Sequence, residues 1–192
     1  MTNDNEDLRE RLAQVRSRIA SAANRAGRRV EDVQLIAVSK THPAEVLRAA
    51  IVAGVTDLGE NRVREADEKI GEVGRDVARW HLIGHLQSNK ARRAVQLFDV
   101  IHSIDSVALA RKVDRACADL QYNKMPVLIQ VDLGHEATKS GVPQPDLQAL
   151  VATVNGCKQL QLIGLMTLPP FFDDPELARP FFSQLRELRR TG

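Results

Sequence analysis

Aromatic residues make up only 4% of this 192-residue chain. So few rings argue against a base-stacking platform for nucleic acid. Neither sign of charge is in excess: 27 Lys and Arg stand against 25 Asp and Glu, a net of +2. A nucleic-acid-binding face needs clustered basic residues, and this balance does not suggest one. There are two cysteines, Cys117 and Cys157, without C-x-x-C spacing. That excludes a disulfide framework or a zinc finger and reads as two small buried hydrophobes in a reducing compartment. No apolar run approaches the ~20 residues of a membrane span. Met1 to Glu6 is polar and acidic, with no apolar leader core. With 43% hydrophobic residues, the expectation is a cytoplasmic globular protein with one sizeable core. P-loop, G-x-G-x-x-G and nucleophile-elbow motifs are also missing.

What is present is alternation. Leu8, Leu12, Val15 and Ile19 predict an amphipathic leading helix that ends near Gly27. Six strands are then predicted: Leu35 to Lys40, Thr56 to Gly59, Arg79 to Gly84, Asp99 to Ile104, Met125 to Leu133 and Leu160 to Met166. A helix follows each. Strands alternating with helices imply parallel pairing through helical crossovers, in an open doubly wound sheet or a (β/α)8 barrel. The run Leu-Ile-Ala-Val-Ser-Lys at 35–40 reads as a strand buried on both faces, ending in a lysine. Lys40 either marks an exposed strand end or is a desolvated amine able to form a Schiff base.

Parallel strands place their carboxyl ends on one rim. That rim would collect Lys40, Glu60, Asn61, His85, Asp105, Lys139 and Met166. Each has a plainer reading. Asn61 is a natural helix cap. Lys90, Arg92 and Arg93 read as a solvated helix face. Lys139 is a loop charge or a second rim amine. His81 and His85 are about 13 Å apart along a strand, too far to share a metal ion.

Several motifs carry a resemblance: Ala37-Val-Ser-Lys-Thr41, Leu58-Gly-Glu-Asn61, Trp80-His-Leu-Ile-Gly-His-Leu-Gln-Ser-Asn-Lys90, Ile101-His-Ser-Ile-Asp105, Lys139-Ser-Gly141 and Gly164-Leu-Met-Thr167. In type and order they resemble the pyridoxal phosphate homeostasis proteins. The resemblance implies a TIM-type (β/α)8 barrel like the N-terminal domain of alanine racemases. Six of its eight strands would be in this chain, behind an extra N-terminal helix. It implies pyridoxal 5′-phosphate (PLP) held as a Schiff base on Lys40, with Asn61, His85 and Met166 near the ring. Lys139 would be an accessory lysine for PLP transfer. The implied role is intracellular PLP homeostasis without catalytic turnover, with apo-PLP enzymes as recipients. The family continues into two further strands whose Ser-x-Gly-Met-Ser and Arg-x-Gly-Thr loops hold the phosphate, and neither motif is in this sequence. Residues 1–192 are thus expected to be one PLP-binding barrel domain, incomplete at its C-terminus. It is expected to be a monomer with two exposed sheet edges prone to association.

Two enzymatic alternatives share the lysine. A racemase of this barrel group would need a second base, a tyrosine from a separate domain. The one tyrosine, Tyr122, begins the fifth predicted strand, at the opposite rim. A PLP-free aldolase would use Lys40 alone. A ligand-free interaction module is the third alternative.

Overall fold

The computed structural model describes residues 2–134 and 140–191. Helix α1 (Thr2–Arg25) ends in a backbone lock. Gly27, with φ +62°, donates to Asn24, and Arg28 donates back to Ala23. A glycine adopts this left-handed turn without steric cost. Next come β1 (Ala37–Val38), α2 (Ala44–Val52), β2 (Asp57–Glu60), α3 (Val63–Val73) and β3 (Arg79–Leu82). They are followed by α4 (Ala91–Leu97), β4 (Val100–Ile104), α5 (Val107–Asp119) and β5 (Met125–Asp132). The last elements are β6 (Val142–Pro143), α6 (Leu147–Gly156), β7 (Leu160–Met166) and α7 (Arg179–Thr191). Short 3-10 turns precede α4, α6 and α7. The alternation read from the sequence is therefore present, with one addition. The two-residue strand β6 pairs with the end of β5, and it is too short for periodicity to reveal.

Every strand pair is parallel, in the order β1-β2-β3-β4-β5, with β6 and β7 both on β5. The register aligns Val38 with Gly59 and Gly59 with His81. Because side chains alternate along a strand, Val38, Gly59 and His81 share one face. Gly59 confirms this: a Cβ there would lie 3.0 Å from Ile36 and from Ile83. Leu58, Trp80 and Leu82 point to the other face. There they form the core with Leu47 of α2, Ala66 and Ile70 of α3, and Ala94 and Val95 of α4. The lower ends of β3 and β4 are tied together by Asp99. It takes two hydrogen bonds from Arg75 (2.9 and 2.6 Å) and one from the Trp80 amide (2.7 Å).

The first strand departs from expectation. It is not buried on both faces: only two residues are in strand conformation, and Val38 is 48% exposed. The physical reason is its position. Among the described residues β1 has β2 as its one sheet neighbour, so it is an edge strand. No described helix is long and apolar enough to cross a membrane.

Both cysteines are free, and they differ in surroundings. Burial, reinforced by nearby Asp114, pushes the Cys117 thiol up to about 12. A thiol reacts as its thiolate. Iodoacetamide at neutral pH should therefore label the partly exposed Cys157 first and reach Cys117 only on unfolding. Equal rates by mass spectrometry would contradict this packing.

Candidate functional site

The carboxyl ends of the strands gather the side chains singled out in the sequence. Lys40 lies two residues beyond Val38 and is exposed. This corrects the picture of an amine desolvated by a buried strand: its strand is at an edge, so water reaches it. Among the described residues its ammonium has no ion pair. Asn61 follows β2 and His85 follows β3. Gly84 lets these two loop ends cross, since a Cβ there would lie 2.2 Å from the Asn61 carbonyl oxygen. Arg62, not Asn61, is the residue at the start of α3, and it makes no side-chain cap bond. The Asn61 amide is therefore not spent as a helix cap, and among the described residues it makes no hydrogen bond. His85 Nδ1 lies 3.2 Å from Asp105 Oδ2, which joins the ends of β3 and β4. Met166 closes β7 opposite Gln130 of β5, half-buried. Lys139 lies outside the described residues.

Beneath Lys40 is a charged cluster centred on Lys69, which with Glu65 lies outside the motifs quoted above. Lys69 Nζ donates to the Ser39 carbonyl (2.6 Å), to Glu60 Oε1 (2.9 Å) and to Glu65 Oε1 (2.7 Å). Ser39 Oγ donates to the same Glu60 oxygen (2.7 Å), and Glu65 Oε1 also accepts the Thr41 amide (2.6 Å). Burial works to lower the Lys69 pKa, but the bonds to Glu65 and Glu60 outweigh it and hold the ammonium above its usual range. The Lys69 bond, then the Thr41 amide, holds Glu65 below its own. Removing one partner of a buried ion pair costs about 3–5 kcal/mol, because the other charge is stranded. The cluster stabilises an unusual backbone: Thr41 has φ +66°. A left-handed conformation at a β-branched residue costs roughly 1–3 kcal/mol and persists only where surrounding contacts enforce it. The sequence does hold a signal for the cluster. Lys69 interrupts the apolar stripe Val63, Ala66, Ile70 and stands four residues after Glu65.

The inner face of the sheet carries a second polar chain. His81 Nε2 is 2.9 Å from Asp57 Oδ1, and His81 Nδ1 is 2.9 Å from His102 Nε2. Gln34 and Thr56 also donate to Asp57, at 2.6 and 2.8 Å. Burial would raise the Asp57 pKa, but these bonds, led by that from His81, hold its carboxyl below the usual range. Burial depresses His81 despite the opposing pull of Asp57. Burial, then the neighbouring His81 and Arg79, lowers His102 to about 4. Two neutral imidazoles fit one consistent pattern, with His102 Nε2–H donating to His81 Nδ1 and His81 Nε2–H donating to Asp57. Among the described residues no group of three or more His, Cys, Asp or Glu is placed to hold a metal ion.

The sign of the resulting pH dependence is fixed. His102 has an ordinary pKa of 6.5 when unfolded and about 4 when folded. Below pH 6.5 the unfolded chain takes up a proton that the folded one refuses. The stability linked to His102 is thus complete above pH 6.5 and is lost as pH falls toward 4. Urea midpoints across that window should drop for the wild type. His102→Gln keeps a donor to His81 and should flatten the slope. An unchanged slope in the variant would contradict the assignment.

The geometry can be set beside known proteins. The alanine racemase N-terminal domain family matches residues 11–191. The pyridoxal phosphate homeostasis protein of Escherichia coli (strain K12) is 42% identical over 167 residues, covering 85% of this chain and 70% of that protein. Its counterpart in Aquifex aeolicus is 39% identical over 180 residues, covering 94% of this chain and 78% of that one. The solved structure of PipY from Synechococcus elongatus, with PLP bound, superposes with a TM-score of 0.83 at 39% identity. That superposition covers 96% of this chain and 81% of PipY. The parallel α/β architecture is thus the TIM-barrel-like one of the alanine racemase N-terminal domain. On these matches the chain belongs to the pyridoxal phosphate homeostasis protein family.

Proposed function

We propose that the chain binds PLP at the carboxyl rim of its sheet and serves intracellular PLP homeostasis as a carrier without catalytic turnover. The observation that carries this reading is Lys40: an exposed amine, without an ion-pair partner among the described residues, at a strand end on the rim. The chain's relative PipY was solved with PLP bound. The residues present fit such a group. Lys40 supplies the amine that takes the cofactor's aldehyde. The Asn61 amide, free of protein partners among the described residues, is available for a polar ring substituent. His85 offers an imidazole oriented by Asp105, and Met166 a polarizable apolar contact. Gly59 has no side chain, and the Ile36 and Ile83 side chains pack into the space a Cβ would take, making an apolar patch on the inner face of the sheet. When bound, PLP supplies an electrophilic aldehyde and an electron-withdrawing ring.

Turnover of amino acids needs a positioned acid or base on the reacting face. Tyr122 cannot be that base, because it precedes β5 and so stands at the opposite end of the strand. We assign Lys139 as an accessory amine, apo-PLP enzymes as recipients and the cytoplasm as the compartment. Borohydride reduction of the PLP-loaded protein, followed by peptide mass mapping, should find the label on Lys40, and Lys40→Ala should lose the visible absorption band. Label on Lys90 with Lys40 bare would contradict the reading. Alanine racemisation should stay at background. Steady turnover that disappears in Lys40→Ala would make the chain an enzyme.

A further inference from the structure

Helix α3 holds the backbone on both sides of Lys40. Lys69 takes the carbonyl of Ser39, the residue before it, and Glu65 takes the amide of Thr41, the residue after it. Both bonds are 2.6 Å and involve an ionised side chain, the stronger class of hydrogen bond. From the strand side, the Ser39 amide donates to the Gly59 carbonyl at 2.9 Å. Lys40 is therefore flanked by three fixed main-chain bonds, although its own side chain is exposed. The left-handed Thr41 turns the chain immediately after it.

We propose that Lys69 and Glu65 are positioning residues: through Ser39 and Thr41 they fix the Lys40 backbone so that its amine stands over the rim. This rests on the PLP-binding reading above. An exposed lysine on a loose loop would sample many rotamers and lose much of that freedom on attachment. A fixed backbone removes part of the loss in advance, so the clamp raises affinity without touching the ligand. The arrangement also explains a buried lysine on the apolar stripe of α3, a position where a leucine would pack more cheaply.

The test uses Glu65→Ala and Lys69→Met with two readouts. Glu65 is partly exposed, and its removal leaves the Lys69–Glu60 pair at 2.9 Å, so this variant retains the fold. Hydrogen exchange at the Thr41 amide reads the clamp with no ligand present. In Glu65→Ala it should quicken about tenfold, while melting falls by only a few degrees. PLP titration should show about tenfold weaker binding in the same variant, the scale expected for one charge-assisted hydrogen bond. Lys69→Met should do both more strongly, and if it does not fold, Glu65→Ala decides alone. Unchanged Thr41 exchange would overturn the clamp, as would faster exchange with unaltered PLP affinity. If the wild type takes up no PLP, the reading of the previous subsection fails. The Thr41 exchange and the rate of amine labelling at Lys40 then decide the clamp by themselves.

Discussion

The Lys69 ammonium sits where sheet, helix and rim meet. Its side chain is only 10% exposed, and its charge is balanced by Glu60, fully buried at the end of β2, and by Glu65 on its own helix. Two carboxylates around one ammonium would be a poor bargain in a dry interior without further bonds. Here the third donor bond goes to the Ser39 carbonyl, and the Ser39 hydroxyl shares the same Glu60 oxygen. The three Lys69 donors and the main-chain geometry are thus satisfied together. The ion pair keeps α3 seated on the sheet, and the seated helix keeps the β1 turn in its left-handed form.

The rest of the rim follows from parallel pairing. One register runs through Val38, Gly59 and His81, so the strand ends arrive side by side. Glycine at 84 is what lets the next loop pass over Asn61. The inner face carries both the hydrogen-bonded chain of Asp57, His81 and His102 and an apolar patch where Ile36 and Ile83 flank Gly59. The outer face is an ordinary helix-covered core.

Much of this was legible in the sequence. Strong periodicity gave the alternation of helices and strands, and β7 has the predicted bounds, Leu160–Met166. Lys40, Asn61, His85 and Met166 fall at strand ends, because a strand end follows directly from a strand. Other features were hidden for physical reasons. A two-residue strand such as β6 has no period to detect. Whether β1 was central or an edge depended on its neighbours, and an apolar run looks alike in either place. The Thr41 turn, the Ser39–Glu60–Lys69–Glu65 cluster and the Asp57–His81–His102 chain each join residues far apart in sequence. Only tertiary packing decides whether a lysine on an apolar stripe is an accident of the surface or a buried partner.

The measurement that tests the account most directly is a crystal structure of the chain grown with PLP. Density is expected to run continuously from Lys40 Nζ to the ring, with Asn61, His85 and Met166 around the ring and Thr41 still left-handed and bonded to Glu65. A ring bound elsewhere, or a Lys40 loop that has let go of Glu65 and Lys69 to reach it, would contradict the account.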